Sequence, residues 1–409
     1  MNELIKQRIT QLNNGEVPNG YENTDFGIFP CDWVKDKTFG DLFDFYGGLG
    51  KSRDELGDEG HAYLHYGDLH RGAFNVVSHE QYEQLPKYDV VLKGTETYLM
   101  EDGDVAFLDA SEDLEGTSRA VLIDNPDNDP FIAGLHIIYG KSKDESLEKW
   151  YKQYITTSES VRKQFQRLAA GFKVYGVNRD TLPRIQVAYP KSTEEQSRIA
   201  EILMKWDEAI ELEEQSIIIL EVRKNSIMKR LLTPQEDWRY VLLGDICQIK
   251  TGRLDANAMD EDGIYPFFTC SKDIYRINQY SFDCEALLIA GNGDIGDVKY
   301  YNGKFDAYQR TYVMSEFTFN IKYVMQYLRL NFDKDVMKGM QKSSMPYIKL
   351  DLLKKAKIYY KVSAIESTVA ILSIVDNEIE LHQLKLSELK KQRKALQQYL
   401  LNGIVRVEV

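Results

Sequence analysis

Apolar residues recur with a heptad period over two stretches of the chain, 192–232 and 363–401. A constant shift superposes the two stretches, so that Asp207 falls on Asp376. This period is typical of a coiled-coil seam, and it predicts two long helices of roughly 60 Å each at about 1.5 Å per residue. The predicted seam residues are Leu203, Trp206, Ile210, Glu213, Ile217 and Leu220 in the first stretch and Leu372, Val375, Ile379, His382, Leu386 and Leu389 in the second.

The polar exceptions to the pattern coincide as well. Lys224 and Arg393 occupy one "a" position, and Glu213 and His382 occupy one "d" position. Because unrelated helices have no reason to share such exceptions, we expect the two helices to pair with each other. The alternative is two independent amphipathic helices, each packed on its own core.

Two regions of mixed pattern precede the helices. Short apolar runs at 104–108, 119–123, 286–290 and 311–314 predict strands, and helices are predicted at 145–170 and 321–339. The two regions begin alike, with Asp-Trp pairs at 32–33 and 237–238, Gly-Asp pairs at 40–41 and 244–245, and glycines at 48 and 252. The predicted fold class is therefore α+β, with two globular domains in a repeat separated by long helices. The expected segments are an N-terminal segment 1–29, a first domain 30–190, a long helix 191–233, a second domain 234–361 and a long helix 362–409.

The N-terminal segment begins with an amphipathic helix that stops at Asn14-Gly15. The second long helix stops in the same way at Asn402-Gly403. We therefore expect the N-terminus to complete the repeat that the C-terminus breaks off, with the two ends close in space.

Composition indicates an ordinary globular protein of several domains, with 409 residues, 43% hydrophobic and 28% charged. No apolar run is long enough for a membrane-spanning helix, and the charged N-terminus does not look like a signal peptide, so we expect a cytoplasmic protein. The cysteines lack Cys-x-x-Cys spacing, which favours reduced core residues over a zinc site or disulfides: Cys31, Cys247, Cys270 and Cys284.

A net charge of −13 argues against a polyanionic partner, but its distribution does not. Residues 149–184 and 334–361, just ahead of the long helices, each carry eight basic and two acidic residues. Such a duplicated local excess is typical of a surface that follows phosphates. The alternative is an ordinary solvated surface.

Motifs for catalysis are weak. Residues 291–296 read Gly-x-Gly-x-x-Gly, but a strand and turn are expected next, whereas a dinucleotide site requires a helix there. These glycines favour a tight hairpin or a close approach of the backbone to a ligand instead. His61, His65 and His70 beside Asp68 lack regular ligand spacing, and Asn125–Asn128 lacks the aromatic residue of an amino-methyltransferase motif. We therefore predict a non-enzymatic protein without catalytic or metal-binding residues.

The domain starts, basic segments and long helices follow one another in a fixed order, and each of them occurs twice. In this arrangement the chain resembles the specificity subunit of type I restriction–modification systems over essentially its whole length. The motifs that carry the resemblance are the two domain starts, the segments 265–269 and 288–296, Glu195-Gln196 at the start of the first long helix and 396–403 at the end of the second. Residues 60–140 match loosely, and Ile365-Glu366 replaces the Glu-Gln pair in the second helix.

The resemblance implies that each globular domain is a target-recognition domain that reads one half of a split, asymmetric site in double-stranded DNA. It implies that the long helices pair antiparallel and set the spacing between half-sites, which would also bring Glu213 near His382. Two methyltransferase subunits would dock on the helices, and motor-nuclease subunits would complete the complex. S-adenosylmethionine, Mg²⁺ and ATP would belong to these partners, and no cofactor to this chain. The alternative is a duplicated coiled-coil scaffold that binds proteins without reading DNA.

Candidate DNA-contacting residues combine basic, amide, hydroxyl and aromatic side chains on predicted loops and strand ends. In the first domain they are Gly48, Lys51, Ser52, Arg53, Tyr66, Asp68, His70, Arg71, Arg119, Lys173, Tyr175 and Arg179. In the second they are Thr251, Arg253, Ser271, Lys272, Asn292, Tyr301, Arg310, Tyr312, Gln341, Lys342, Ser343, Ser344 and Tyr347.

Overall fold

The computed structural model describes residues 3–70, 76–89, 98–111, 119–168, 175–335 and 347–407. The chain forms two compact units, Met1–Glu211 with Ser387–Val409, and Leu212–Leu386. We call them the first and the second unit. The boundary between them falls within both long helices, α7 (Thr193–Leu232) and α11 (Ile365–Leu401). Each unit therefore combines a globular part with a portion of each helix.

The first unit is a mixed α+β structure. Its other helices are α1 (Glu3–Asn13), α2 (Phe39–Leu42), α3 (Tyr66–His70), α4 (His79–Gln84), α5 (Lys149–Ile155) and α6 (Glu159–Leu168). Its strands are β1 (Tyr21–Thr24), β2 (Gly27–Pro30), β3 (Val34–Thr38), β4 (Phe43–Gly47), β5 (His61–Leu64), β6 (Val76–Val77), β7 (Lys87–Tyr88), β8 (Leu99–Met100), β9 (Val105–Leu108), β10 (Ala110–Ser111), β11 (Ala120–Ile123), β12 (Phe131–Ala133), β13 (Ile137–Ser142), β14 (Tyr175–Gly176) and β15 (Gln186–Tyr189).

A five-stranded sheet in the order β4-β13-β9-β11-β6 is the centre of this unit. A second sheet has the order β7-β5-β12-β8. Strands β9 and β11 are buried along their whole length, which explains their continuous apolar runs. The core also includes Leu203 of α7 and Leu400 of α11, so the helices are part of this unit's hydrophobic core.

The single helix predicted over 145–170 is two helices, α5 and α6. The break at Thr156–Ser158 follows from local hydrogen bonding. The Thr156 hydroxyl donates to the Lys152 carbonyl, and the Val161 amide donates to Ser158 Oγ. Hydroxyl side chains that bond to nearby backbone in this way compete with helix continuation.

The second unit is simpler. Its other helices are α8 (Leu243–Ile246), α9 (Ile321–Asp335) and α10 (Leu350–Lys354). Its strands are β16 (Arg239–Leu242), β17 (Gln248–Thr251), β18 (Tyr265–Phe268), β19 (Ile274–Ile277), β20 (Phe282–Ala290), β21 (Val298–Ala307), β22 (Thr311–Ser315) and β23 (Lys357–Tyr360). A six-stranded sheet has the order β17-β22-β20-β21-β18-β19, and Met228, Leu232 and Leu372 of the long helices lie in the core packed on it.

The internal repeat is visible in the sheets. The orders β4-β13-β9-β11 and β17-β22-β20-β21 correspond, and all neighbours in both are antiparallel. The paired glycines have the same packing role. A Cβ atom at Gly48 would lie 1.8 Å from the Gly134 carbonyl oxygen, and one at Gly252 would lie 1.8 Å from the Ala307 carbonyl oxygen. The repeated fold thus requires glycine at both positions.

The two long helices run antiparallel in each unit. In the first unit Arg393 binds Asp207 through two N–O contacts of 2.8 and 3.1 Å. In the second unit Lys224 lies 2.5 Å from Asp376, and Leu220 packs with Val375 and Ile379. All of the predicted seam residues are buried or half-buried.

Several ion pairs and hydrogen bonds join the two chain ends in the first unit. Arg8 donates to the Ile404 carbonyl at 3.0 Å, and Tyr21 donates to the Gly403 carbonyl. Arg406 binds both Asp32 and Glu195. These contacts connect the N-terminal segment, the globular part and the end of α11.

All four cysteines are free thiols. The expectation that they are core residues is wrong for Cys31, which is exposed, whereas Cys247, Cys270 and Cys284 are half-buried. Burial raises the pKa of the Cys247 thiol to about 12. Among the described residues, none of the helices is both long and apolar enough to cross a membrane.

Candidate nucleic-acid interface

A cleft of about 340 Å³ opens in the second unit where β17 and β20 end and β22 begins. It brings together a group of polar and aromatic side chains from separate parts of the sequence. Its lining is Thr251, Gly291, Asn292, Gln309, Arg310, Tyr312, Tyr347 and Ile348. Five of these residues, Thr251, Asn292, Arg310, Tyr312 and Tyr347, were predicted from the sequence to contact DNA. Gln309 was not.

Backbone hydrogen bonds fix the walls of the cleft. The Gly291 amide donates to the Arg310 carbonyl at 2.8 Å, and a Cβ on Gly291 would lie 2.5 Å from that oxygen. The Ile348 amide donates to the Gly291 carbonyl, and the Tyr312 hydroxyl donates to the Ile348 carbonyl, both at 2.8 Å. The glycine-rich stretch therefore connects the antiparallel strands β20 and β21, which is the hairpin expected from the sequence.

Three polar side chains at the cleft are available to a ligand. Gln309 and Arg310 are exposed, and Asn292 is half-buried. No other described residue offers these three side chains a hydrogen bond. Burial raises the pKa of Tyr312, so its phenol stays protonated at neutral pH. Amide and guanidinium groups of this kind match the donors and acceptors of base edges.

The other nominated residues of the second unit lie apart from this lining. Arg253 and Lys272 are exposed, and the Lys272 amide donates to Asp294 at 3.0 Å. The Ser271 carbonyl accepts a hydrogen bond from Lys299 at 2.8 Å. Tyr301 is half-buried, and its ring packs against the buried Phe268 and Phe305 rings with centroids 5.4 and 5.6 Å away; its contact with DNA stays a prediction.

In the first unit the structure brings together Arg53, Tyr66 and Asp68. Arg53 lies 3.7 Å from Asp68, whose carboxylate also accepts the His65 amide at 3.1 Å. The Tyr66 ring meets the His136 ring edge-on at 5.9 Å. His136 was not nominated, and its Nδ1 lies 3.0 Å from Asp109 Oδ1.

Four other predicted residues of the first unit have structural roles, and their contact with DNA stays a prediction. Gly48 is required for packing, as described above. Lys51 binds Glu55 at 3.0 Å and lies 4.9 Å from the centre of the Tyr88 ring. Ser52 caps the short 3-10 helix Arg53–Glu55, and the hydrogen bond from its amide lowers the pKa of Glu55 to about 2. Arg119 donates to the Leu69 carbonyl at 3.1 Å, which ties β11 to α3.

Arg179 is exposed, and its guanidinium lies over Gly47, where a Cβ would be 3.7 Å from Cζ. Arg71, Lys173, Gln341, Lys342, Ser343 and Ser344 lie outside the described residues, as do the side chains of His70 and Tyr175. For these eight residues the assignment stays a prediction.

Several basic residues of 149–184 have partners within the first unit. Lys149 lies 2.6 Å from both Asp102 and Asp124. Lys152 is buried and donates to the Gly103 carbonyl, and Arg162 binds Glu159 at 2.7 Å. These three side chains already have intramolecular partners, and the phosphate-following surface stays a prediction.

Comparison with protein families gives one result for both units. The model described as "Type I restriction modification DNA specificity domain" matches residues 31–222 and 235–391. The chain is also 46% identical over 113 residues to the type I restriction enzyme EcoDI specificity subunit of Escherichia coli. That match covers 28% of this chain and only 25% of the relative's length.

Solved structures share the fold. The S subunit of a type I restriction–modification system from M. genitalium matches with a TM-score of 0.57 and 17% identity, covering 94% of this chain and 98% of that one. A chain from a structure on complex assembly and conformational transition of the type I R-M system matches with a TM-score of 0.54 and 15% identity, covering 95% and 100%. The family inferred from the sequence is confirmed, because the family model matches well over half of the residues: the chain belongs to the type I restriction–modification DNA specificity family.

Proposed function

We propose that this chain is the DNA-recognition subunit of a type I restriction–modification complex, and that each globular part reads one half of a split, asymmetric site in double-stranded DNA. The observation that carries the proposal is the cleft of the second unit, where Asn292, Gln309 and Arg310 present groups without intramolecular hydrogen bonds among the described residues. Such groups discriminate base pairs at their edges. The corresponding sheet order in the first unit supports a second reader of the same kind.

The paired long helices would hold the two readers at a fixed spacing. An antiparallel pair with an apolar seam is stiff, and the geometry of a two-reader protein sets the spacing of its half-sites. The ion pairs Asp207–Arg393 and Asp376–Lys224 occupy equivalent positions of the repeat. They fix the register of the helices, because sliding either helix by one residue would separate both pairs.

The helices also supply a docking surface for methyltransferase subunits. Both carry exposed apolar residues on the face away from the seam: Leu212, Ile218, Ile219 and Val222 on α7, and Ile374, Leu381 and Leu384 on α11. Contiguous exposed apolar residues mark protein–protein contacts. Leu212 and Leu381 are equivalent in the repeat and are 57% and 66% exposed, so the same kind of contact is available on each helix.

The chemistry would lie in the partners. Methyltransferase subunits would hold S-adenosylmethionine, and motor-nuclease subunits would use ATP and Mg²⁺, while this chain contributes recognition and no catalytic group. The complex would act on DNA in the cytoplasm. Because the net charge is −13 and Lys149 and Arg162 are internally paired, we expect the isolated chain to bind DNA weakly and with strong salt dependence.

The test is to express the chain with its methyltransferase subunit in cells that lack other adenine methylation. Single-molecule sequencing should reveal a methylated motif with two specified parts and a fixed unspecified gap. The control expresses the methyltransferase subunit without this chain and should show no such motif. Methylation that is absent or identical in both strains would contradict the proposal.

A further inference from the structure

Each unit contains a short turn in a corresponding place, just before β13 in the first unit and just before β22 in the second. In the first unit the turn is residues 134–137, between β12 and β13, and in the second it is residues 308–311, between β21 and β22. In both, the residue before the turn pairs in parallel with the end of a neighbouring strand, Ala133 with Leu64 and Ala307 with Phe268. The topological surroundings of the two turns therefore correspond.

Three backbone hydrogen bonds match one for one. The Gly134 amide donates to the Leu64 carbonyl at 3.0 Å, and the Tyr308 amide donates to the Phe268 carbonyl at 2.9 Å. The amides that close the turns belong to Ile137 and Thr311, and they donate to the carbonyls of the first turn residues at 3.1 and 2.8 Å.

The third bond comes from the end of the adjacent strand. The Asp109 amide donates to the His136 carbonyl at 3.1 Å, and the Gly291 amide donates to the Arg310 carbonyl at 2.8 Å. Leu135 therefore corresponds to Gln309, and His136 to Arg310. The correspondence is one of backbone hydrogen bonding. No residue is identical between the two turns, and their conformations differ at the second of these positions, where only His136 has a positive φ, of 64°.

The side chains that the turns present are exposed and chemically different. Leu135 is 46% exposed, although it is a large apolar residue at a turn, and His136 is half exposed. Gln309 and Arg310 are exposed at the cleft. A shared pattern of backbone hydrogen bonds that presents different side chains is what two readers of different sequences require.

We infer that these two turns are matched base-reading elements, and that Leu135 and His136 in one unit and Gln309 and Arg310 in the other set the base preference of the two half-sites. This inference rests on the proposed function and names the residues that would give it specificity. It differs from the nominations made from sequence, which included only Arg310.

Each side chain has a definite recognition chemistry. Arginine binds guanine O6 and N7 through two hydrogen bonds, and glutamine binds adenine N6 and N7. Leucine can contact only an apolar group, and the thymine methyl is the apolar group of the major groove. The contact of His136 Nδ1 with Asp109 favours a proton on Nδ1, which leaves Nε2 as an acceptor for an exocyclic amine of adenine or cytosine.

The test uses the full chain with its methyltransferase subunit and maps adenine methylation genome-wide. The second-unit variants are Gln309→Ala, Arg310→Ala and Arg310→Lys, and the first-unit variants are Leu135→Ala and His136→Ala. Arg276→Lys and Lys37→Ala, at exposed positions on β19 and β3, are the matched controls. Thermal unfolding of each purified variant verifies that it is folded.

Each turn variant should relax selectivity at one base pair by roughly 10- to 100-fold, the range expected for loss of one base contact. The change should fall only in the half-site read by that unit, and Arg310→Lys should relax selectivity while keeping overall methylation. The controls should retain the wild-type motif.

The wild-type chain could produce a split motif that no folded turn variant changes. That result would overturn this inference and leave the proposed function intact. A uniform decrease at all sites, with unchanged base preference, would also overturn it, because the turns would then contact only phosphates. Absence of any motif that depends on the wild-type chain would instead contradict the proposed function itself.

Discussion

Glu213 and His382 occupy the same position in the two copies of the helical repeat and contact each other directly, with Oε1 and Nδ1 2.7 Å apart. Lys385 lies 2.7 Å from the other oxygen of this carboxylate, whose side chain is only 5% exposed. In an antiparallel pair of repeats, equivalent positions meet only at the centre. The polar exception in the heptad pattern is therefore a paired charge at the midpoint of the repeat.

This carboxylate should make stability depend on pH. Hydrogen bonds from Lys385, and to a smaller extent from His382, lower the pKa of Glu213 from its usual 4.5. A lowered pKa means that the stabilisation is present above about pH 4.5 and is lost as pH falls through the folded-state value. Glu213→Gln should lower the free energy of unfolding by about 1–3 kcal/mol at pH 7 and much less at pH 3.

Urea unfolding at both pH values measures this difference, with exposed Glu221→Gln on the same helix as the control. His382→Leu removes one of the two partners and should cost about 1 kcal/mol at neutral pH. If His382→Leu changes neither the pH dependence of stability nor the assembly of the complex, the pair contributes nothing.

Asp104 should change the stability in the opposite direction to Glu213, because its charged form destabilises the folded state. Burial raises its pKa from 3.8 to about 7, so the folded state holds a proton that the unfolded state has released. The cost to stability grows as pH rises from about 4 to 7 and persists above that. Asp104→Asn should therefore increase the free energy of unfolding at pH 8, by roughly 2–4 kcal/mol, and change it little at pH 4.

The local backbone should be preserved in the Asp104→Asn variant, because the carbonyl oxygen of the new side chain can still accept the hydrogen bond from the Glu101 amide. Exposed Asp127→Asn is the control and should have no such pH dependence. Equal effects of Asp104→Asn at pH 4 and pH 8 would show that this carboxyl titrates normally.

The glycines that repeat between the two units should be equally intolerant of substitution. Gly48→Ala and Gly252→Ala each place a Cβ 1.8 Å from a carbonyl oxygen, so the backbone must move. Each should lower the free energy of unfolding by about 1–3 kcal/mol, the usual range for overpacking. Differential scanning calorimetry of the three variants measures these changes. Gly57→Ala, whose Cβ would meet no atom within 4 Å, is the control and should leave the free energy of unfolding nearly unchanged. A neutral Gly48→Ala would mean that the strand geometry at this edge is looser than described.

The exposed apolar face of the helices should matter for assembly and not for folding. Leu212→Asp with Leu381→Asp should abolish copurification with the methyltransferase subunit, because a charge would have to be buried in the interface. The melting temperature of the chain alone should not fall. Lys322→Asp, exposed on α9, is the charge-changing control and should assemble normally. Normal assembly of the double variant would place the docking surface elsewhere.

The sequence predicted the helices and the repeat well, for a physical reason. A seam such as Leu220 against Val375 and Ile379 must be apolar at every heptad, so the pattern is local and regular. The Glu213–His382 contact follows from the same periodicity, because an antiparallel pairing of two repeats specifies which positions meet.

The sequence did not predict the turns. Leu135, His136 and Gln309 carry no local signal, since their exposure results from parallel pairing of distant strands. The ring packing of Tyr301 could not be predicted either, because a tyrosine on a strand looks the same whether its ring packs on phenylalanines or faces a ligand. The sequence also could not show that Lys149, in the basic segment 149–184, forms ion pairs with Asp102 and Asp124, because these residues are distant in the chain.

The most direct test of the two-reader account is an exchange of one reader within the assembled complex. Residues 30–190 would be replaced by the corresponding domain of a family member that reads a different half-site, and methylated adenines would be mapped by single-molecule sequencing. The account predicts a new motif in which one half changes while the other half and the gap between them are retained. A motif that changes in both halves, or in neither, would contradict it.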